Sequence, residues 1–173
     1  MRAIFTFAIA LIAASALAQQ ITSETVTGVT NFKKLETTIA CAGATTPQAV
    51  PEIKKMGYAS IINLRVPTEE GADVDQEAAA AKAAGIKFYS LPLNGQKPDP
   101  AVADKFLAVI ADTSNEPAFI HCHSGNRAAA MWMIKRLVAD HWDADRASAE
   151  AAQLGLTSGA LKTFALEYAA SHK

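Results

Sequence analysis

The stretch PAFIHCHSGNRAAAMWMIKRL, residues 117–137, joins two structural patterns. Its first part, PAFIHC, is an almost wholly apolar run, typical of a strand that is buried on both faces of a parallel sheet. Beyond Arg127, four apolar residues recur at helical spacing and predict one buried helix face: Met131, Ile134, Leu137 and Val138. Cys122 therefore begins a loop that connects a central strand to the N-terminus of a helix.

Apolar runs and helical patterns alternate along the rest of the chain. This alternation predicts an α/β fold in which helices flank a mostly parallel central sheet. After a polar lead-in over residues 19–31, strands are predicted within residues 35–43, 59–65 and 86–93, the first of them ending near Cys41. Helices are predicted within residues 48–57, 73–85, 99–113, 145–155 and 158–172.

The N-terminal residues have the layout of a secretory signal peptide. Arg2 is followed by an apolar run to about residue 14, and Ala16-Leu17-Ala18 matches a small-residue cleavage site. An uncleaved membrane anchor is the alternative, but the run is shorter than the roughly 20 residues that span a bilayer. We therefore predict a signal peptide over residues 1–18, one catalytic domain over residues 19–173, and a periplasmic or secreted protein without stable membrane insertion.

Composition argues against several classes of partner. Without Arg2, the chain has 15 Lys and Arg residues against 17 Asp and Glu, and no basic cluster, so we expect no nucleic-acid partner. The two cysteines, Cys41 and Cys122, are too few for a disulfide scaffold. His121 and His123 flank Cys122 too closely for a closed four-ligand site, so we expect no metal and no cofactor.

The loop from Cys122 to Arg127 has the features of an anion-binding active loop. Backbone N–H groups converge where a short loop enters a helix, and the helix dipole favours both an anion and a thiolate there. Gly125 permits a tight turn, and Arg127 offers a planar fork of donors for a phosphoryl or sulfuryl group. Ser124 has a hydroxyl that can donate a hydrogen bond to the sulfur.

Each residue of this loop also has a simpler interpretation. A single cysteine at the end of an apolar strand is often an inert core residue, and Arg127 alone would read as a solvated residue of a first helical turn. Their combination, with glycine between them, favours the active loop. We interpret His121 as a structural residue beside the loop and leave the role of His123 open.

The motif HCHSGNRA, with INLR upstream and YSLPLNG between them, resembles the dual-specificity-phosphatase-like family also known as the beta-lactamase-hydrolase-like phosphatase domain. Members of that family have also been labelled sulfurtransferases. The resemblance extends from about Asn31 to Tyr168 and implies the cysteine-phosphatase fold. It also implies catalysis by hydrolysis of phosphate esters, with phosphoproteins among the candidate substrates.

The resemblance implies a role for each residue of the loop. Cys122 corresponds to the nucleophile and Arg127 to the arginine that holds the substrate oxygens. The substrate-binding cradle is formed by the loop itself: His123, Ser124, Gly125, Asn126 and Arg127. The implied mechanism passes through a cysteinyl-phosphate intermediate that water hydrolyses.

The sequence also departs from the well-studied phosphatases of this superfamily. Four residues rather than five separate Cys122 from Arg127, which is the spacing of rhodanese active loops. Ala128 occupies the position where those phosphatases have Ser or Thr. Their general-acid loop corresponds to residues 91–100, where Asn94 and Gly95 are not acids.

The candidate acids are few. Asp99 is the nearest one and is assigned as a catalytic acid, although the Asp-Pro pair that opens a helix is also typical of an N-cap. Glu69, Glu70, Asp73 and Asp75 are interpreted as surface or capping residues. Cys41 has two interpretations, as a small buried residue or as a partner that forms a disulfide with oxidised Cys122.

These observations predict an exported cysteine-dependent phosphatase-like hydrolase with an anionic substrate. Two alternatives remain open. A rhodanese-like sulfurtransferase would carry a persulfide on Cys122, and the four-residue loop, the missing acid and the missing hydroxyl favour it. A non-catalytic anion-binding module would use the same loop without the chemistry of the thiol.

Overall fold

A six-stranded sheet organises residues 20–172, the part of the chain that the computed structural model describes. The predicted signal peptide, residues 1–18, lies outside this range and stays a prediction. Within residues 20–172, no helix is long and apolar enough to cross a bilayer. The sheet and the helices on its two faces confirm the predicted α/β class.

The strands occur in the order β1-β2-β3-β6-β4-β5 across the sheet. β3, β6, β4 and β5 are mutually parallel, while β1 and β2 join the edge beside β3 in antiparallel pairs. Their bounds are Ile21–Ser23 (β1), Lys33–Leu35 (β2), Ile39–Ala42 (β3), Ser60–Asn63 (β4), Lys87–Ser90 (β5) and Ala118–His121 (β6). The strand predicted from PAFIHC is therefore central.

The N-terminal part of the sheet differs from the prediction. The single strand expected within residues 35–43 is only β3, because the chain turns after Leu35, where Glu36 takes a positive φ of 46°. β2 and β1 precede this turn, and β1 lies in the segment that was expected to be a polar lead-in. Each of these two strands has only three residues, which is too short for an apolar or alternating pattern to reveal, and Leu35 is the one fully buried residue among them.

Three of the six α-helices in the described residues connect parallel strands and three follow the last strand, and all six match predicted segments closely. Gly85 ends α2 in the left-handed conformation, and the Asp99 side chain caps α3 by accepting the Ala101 N–H at 3.0 Å. A short 3₁₀ turn precedes α1. The helix bounds are Val50–Lys55 (α1), Val74–Ala84 (α2), Pro100–Ala111 (α3), Asn126–Val138 (α4), Ala144–Gln153 (α5) and Gly159–Ser171 (α6).

The two faces of the sheet support two separate apolar clusters. Since side chains alternate along a strand, Cys41, Ile62 and Ile120 share the face that α3 to α6 cover. Ala40, Ile61 and Phe119 point the other way, against α1 and α2. Cys122 belongs to the first cluster, so its side chain enters the helix-rich layer.

α4 is more deeply buried than its sequence pattern predicts. Met131 and Ile134 are buried as expected, but so are Trp132 and Met133, while Leu137 is only half-buried. The reason is that α4 lies between the sheet and two further helices, α5 and α6, and therefore contacts apolar side chains on several sides. This position holds the first turn of α4 rigidly beneath the loop that contains Cys122.

Gly43, just after β3, allows this strand to approach the Cys122 loop closely. The N–H of Ala44 donates to the His123 carbonyl at 2.8 Å, and Gly43 and Ser124 form an isolated bridge. A Cβ at position 43 would lie 2.3 Å from Thr30 Oγ1 and 3.0 Å from the His123 oxygen.

We therefore expect Gly43→Ala to lower the free energy of unfolding by about 1–3 kcal/mol, because backbone as well as side-chain atoms must shift. Urea unfolding of the variant measures the effect. Gly159→Ala is the matched control, since a Cβ there meets no atom within 4 Å and alanine suits the start of a helix. A Gly43→Ala protein as stable as the wild type would contradict the close approach.

Candidate active site

The Cys122 sulfur lies beneath the loop that joins β6 to α4. The Cys122 side chain is 1% exposed, and its Sγ accepts the Gly125 N–H at 3.2 Å. Gly125 is the N-cap of α4 and has a φ of 95°, a conformation that residues with a side chain rarely adopt. The strand, the glycine turn and the helix N-terminus predicted from the sequence are thus all confirmed around this thiol.

Two backbone carbonyl groups of the Cys122 loop accept hydrogen bonds from residues outside the loop. The His123 carbonyl accepts the Ala44 N–H, and the Ser124 carbonyl accepts Asn31 Nδ2 at 3.2 Å. These two carbonyl oxygens thus have partners outside the loop, while the Gly125 N–H donates to the sulfur. An anion at the sulfur would therefore meet hydrogen-bond donors rather than acceptors.

The Asn126 side chain ties the loop to the segment that begins α6, and one N–H of its Nδ2 remains for a further contact. Its Oδ1 accepts the N–H groups of Thr157 and Ser158 at 2.7 and 2.8 Å, and its Nδ2 donates to Ser124 Oγ at 3.3 Å. Its assignment as a substrate-binding residue therefore stays a prediction, for that N–H as for its backbone position in the cradle. Through Oδ1 the side chain also positions the segment that begins α6.

Arg127 is held on one edge of its guanidinium group. Nη1 donates to the Leu64 and Leu93 carbonyls at 3.0 and 2.8 Å, and Nη1 and Nη2 bind the Glu69 carboxylate at 2.6 and 2.8 Å. The other edge, formed by Nε and the second N–H of Nη2, takes part in none of these contacts, and Cys122 is near enough to interact electrostatically with the guanidinium. That edge can bind two oxygens of a phosphoryl or sulfuryl group at once.

Glu69 and Arg127 are both charged at neutral pH. Burial opposes ionisation of Glu69, but hydrogen bonds from Arg127 and the Val66 N–H outweigh burial and lower the pKa of Glu69 from 4.5 to about 2. Burial likewise opposes the charge of Arg127, yet Glu69 and Cys122 outweigh it and raise the pKa of the guanidinium. Glu69 is thus an anion at neutral pH and cannot serve as a proton donor.

The interpretation of Glu69 as a surface or capping residue was therefore incomplete. Glu69 does accept the Val66 N–H at 3.0 Å, but it also positions Arg127.

Arg65 in turn holds the Glu69 carboxylate in place. It is 1% exposed and donates to Glu69 Oε2 at 3.3 Å and to the Gly71 carbonyl at 2.6 Å. Sequence reasoning missed the contact between Glu69 and Arg127 because 58 residues separate the two. Glu70, Asp73 and Asp75 are exposed, as predicted.

A cavity of about 540 Å³ opens above the loop. His123, Ser124, Asn126 and Arg127 line one side of it, and further lining residues come from the loop after β5 and the start of α6: Asn94, Gly95, Gln96, Ser158 and Leu161. Among the described residues, Glu69 is the one carboxylate in this lining. The cavity therefore holds an anion-binding loop without a neutral carboxyl group, and the imidazole of His123 is the group in its described lining that could donate a proton to a leaving group.

Asp99 occupies the capping position rather than the cavity lining. It is exposed and accepts the Ala101 N–H as the N-cap of α3. Asn94, which lies closer to the position of the family's acid, uses its Oδ1 to accept the Gln96 and Lys97 N–H groups. The geometry favours the capping role of Asp99, and its assignment as a catalytic acid stays a prediction.

His121 is buried on the opposite face of the sheet from the Cys122 side chain. Its Nε2 lies 2.9 Å from Glu77 Oε1, without the alignment of a hydrogen bond, and Asn63 Nδ2 donates to Glu77 Oε2 at 2.7 Å. His121 and Glu77 are both fully buried. This arrangement agrees with the structural interpretation of His121. No sequence pattern indicated Glu77, which is one polar residue in an alanine-rich helix.

Cys41 and Cys122 are both free thiols on the same face of the sheet. Burial, followed by the charge of Cys122, raises the pKa of Cys41 well above its usual value. Cys41 pairs with Ile120, so Cys122 is its diagonal neighbour, about 7–8 Å away between Cα atoms. Disulfides usually join Cα atoms no more than about 6.8 Å apart, so the alternative of a Cys41 disulfide requires backbone movement.

Comparison with known proteins identifies this loop and fold. Residues 31–139 match the family model described as the phosphatase-like domain of beta-lactamase hydrolase-like protein. The chain belongs to this family. The match confirms the resemblance predicted from HCHSGNRA, although it ends near the C-terminus of α4 and not at Tyr168.

Two curated relatives are the beta-lactamase hydrolase-like proteins of two Xylella fastidiosa strains. Each is 31% identical to this chain over 104 residues, which cover 58% of this chain. The chain spans only 23% of the length of these relatives. The phosphatase-like domain is therefore a part of larger proteins in those organisms.

Solved structures confirm the cysteine-phosphatase fold. The catalytic core of the S. cerevisiae PP-IP phosphatase SIW14, bound to citrate, aligns with a TM-score of 0.67 at 19% identity over 83% of this chain and 88% of that one. P. aeruginosa TpbA aligns with a TM-score of 0.62 at 19% identity over 83% and 86%. A DUF442 protein of Shewanella putrefaciens gives 0.69 at 18% identity over 84% and 93%.

The contact between Glu69 and Arg127 predicts a pH-dependent loss in the variant Glu69→Gln. Because the pKa of Glu69 is lowered from 4.5 to about 2 in the folded state, its stabilisation is full above about pH 4.5 and is lost as the pH falls toward 2. The difference in unfolding free energy between wild type and variant should therefore narrow below pH 4.5, as urea titrations at several pH values would show.

The same variant should bind anions more weakly in the loop. We expect its affinity for vanadate, an analogue of the phosphoryl group, to fall about 10- to 100-fold, because the guanidinium is no longer held in one orientation. Glu70→Gln is the matched control, since the neighbouring Glu70 side chain is exposed. Equal affinities for the two variants would contradict the positioning role.

Proposed function

We propose that this protein is an exported cysteine-dependent phosphatase-like hydrolase that acts on phosphate esters. The observation that carries the proposal is the Cys122 Sγ that accepts the Gly125 N–H at the N-terminus of α4, in the same loop as an arginine whose second guanidinium edge Glu69 leaves unused. The nucleophile and the arginine able to bind a tetrahedral anion thus belong to one loop, and His123, Ser124, Asn126 and Arg127 of that loop line the cavity. Membership of a phosphatase-like family supports the same chemistry.

The first step is attack of the Cys122 thiolate on phosphorus. An S–P bond forms as the P–O ester bond breaks, and the electron pair of that bond leaves with the ester oxygen. The loop N–H groups and the open edge of Arg127 stabilise the charge on the non-bridging oxygens in the transition state. Glu69 contributes by holding the opposite edge of the guanidinium in one orientation.

The lining of the cavity restricts the leaving group. Glu69 is ionised, and Asn94 and Gly95 cannot donate a proton in the way a carboxylic acid does. Without a carboxylic acid to protonate it, the departing oxygen leaves most readily when it is stable as an anion, as the oxygen of a phenol is. Aryl phosphates are the substrates that best fit this site, and a TpbA variant has been crystallised in complex with pTyr.

In the second step, water attacks the cysteinyl phosphate, the S–P bond breaks, and the thiolate and inorganic phosphate are released. Ala128 is fully buried and has no hydroxyl to assist this step. We therefore expect the intermediate to break down slowly enough to accumulate. A burst of phenol release before steady turnover is the kinetic sign of such an intermediate.

A second candidate is sulfur transfer through a Cys122 persulfide. The thiolate attacks the outer sulfur of a donor such as thiosulfate, an S–S bond forms, and sulfite leaves as an anion without a proton. An acceptor thiol then takes the sulfur. The absence of a neutral carboxylic acid from the described cavity lining favours this chemistry specifically, as does the four-residue loop.

One experiment separates the two candidates. The reduced protein is incubated separately with 4-nitrophenyl phosphate and with thiosulfate, while Cys122 is followed by intact mass and released phosphate by assay. We expect phosphate release that depends on Cys122 and a faster reaction with aryl than with alkyl phosphates, because an alkoxide leaves poorly without an acid. Cys122→Ser is the inactive control, and Cys41→Ser controls for the second thiol.

The other outcomes are equally informative. Gain of one sulfur atom at Cys122 without phosphate release would overturn the hydrolase and establish the sulfurtransferase. If neither substrate reacts but vanadate still binds, the loop belongs to a non-catalytic anion-binding module.

Export is proposed from the N-terminal pattern alone. Cleavage after Ala18 would leave Gln19 as the first residue of the mature protein. Mass spectrometry of the protein from fractionated cells is the test. We expect the shortened chain outside the cytoplasm, and a full-length chain in the cytoplasm would contradict the proposal.

A further inference from the structure

A second cavity lies on the other side of the Cys122 loop. Its volume is about 360 Å³, and it shares Ser124 and Asn126 with the active-site cavity. The two cavities are therefore neighbours separated by the loop residues that face both. A substrate held at the sulfur could extend across these residues from one cavity into the other.

The side chains of the second cavity suit an anionic group. Lys33 is the one charged residue in its described lining, and Asn31, Ser124, Asn126 and Thr157 supply amide and hydroxyl groups. Lys33 Nζ donates to Ser23 Oγ at 2.6 Å, which uses one of its three N–H donors. Among the described residues, no carboxylate forms an ion pair with Lys33, so its charge is not neutralised there.

The sheet register explains why Lys33 belongs to this side of the molecule. Lys33 pairs with Cys41, so both side chains lie on the face of the sheet that also holds Cys122. Lys34 pairs with Ala40 and lies on the opposite face. Two strand spacings separate β2 from β6, which places the Lys33 backbone about 10 Å from that strand.

We propose that the cavity containing Lys33 is a subsite for a second anionic group, phosphate or carboxylate, on the same substrate molecule that reacts at Cys122. This inference rests on the proposed function, because it assigns the substrate class of the same site. The preferred substrates are then extended polyanions rather than simple monoesters. Lys33 is the residue that determines this preference.

Binding to the inactive variant Cys122→Ser tests the subsite without catalysis. Titration calorimetry compares inorganic phosphate with tripolyphosphate, which carries further anionic groups on the same molecule. We expect one tripolyphosphate per chain, bound about fivefold or more tightly than phosphate, with a gain that shrinks at high salt. Adding Lys33→Ala should bring the ratio of the two affinities close to one, whereas Lys34→Ala should leave it unchanged.

Two results would overturn the subsite. One is that the protein binds tripolyphosphate no more tightly than phosphate, or that it keeps its full preference for tripolyphosphate after Lys33→Ala. The other is binding of two independent phosphates per chain, one of them lost with Lys33, which would indicate a site for free phosphate rather than for a linked group.

A catalytic comparison distinguishes failure of the subsite from failure of the proposed function. Phosphotyrosine peptides with glutamate at one, two or three residues from the phosphotyrosine are compared with glutamine counterparts. We expect the wild type to prefer a glutamate peptide in kcat/KM and Lys33→Glu to reverse that preference. If the protein hydrolyses the glutamate and glutamine peptides equally well, the subsite alone is refuted. If it binds tripolyphosphate more tightly than phosphate through Lys33 but hydrolyses no peptide, the hydrolase alone is refuted.

Discussion

The ion pair between Glu69 and Arg127 is the interaction on which the candidate site depends. An arginine side chain has many rotamers, and ordering it costs entropy that only specific contacts can offset. Glu69 takes one edge of the guanidinium in two hydrogen bonds, and two backbone carbonyls complete the hold. The remaining edge is preorganised for a tetrahedral anion, so substrate binding needs little further ordering.

The centre of the fold was predictable because its signals are local. The apolar run of β6, the glycine at position 125 and the helical pattern of α4 are contiguous, and each indicates one element without reference to distant residues. The roles of Glu69 and Gly43 were not predictable, since each depends on a contact with a segment far along the chain. The same holds for α4, whose burial on several sides depends on where α5 and α6 pack.

The cavity combines a strong anion cradle with a weak capacity for proton transfer. The cradle alone suits any reaction in which a thiolate attacks an electrophilic centre that carries several anionic oxygens. The residues around the leaving group then decide which reaction proceeds. In this chain those residues are amides, a glycine, an ionised carboxylate and the imidazole of His123, so the stability of the leaving group has a large part in selecting the chemistry.

The buried position of α4 has a consequence for the limits of the folding unit. The family match ends at residue 139, yet α5 and α6 cover α4 and provide the partners of the Asn126 side chain. A fragment trimmed to the matched residues would expose Trp132 and its apolar neighbours to water and release one wall of the cavity. The smallest stable module is therefore larger than the region that the family match covers, because the burial of α4 and one wall of the cavity both depend on the two helices beyond it.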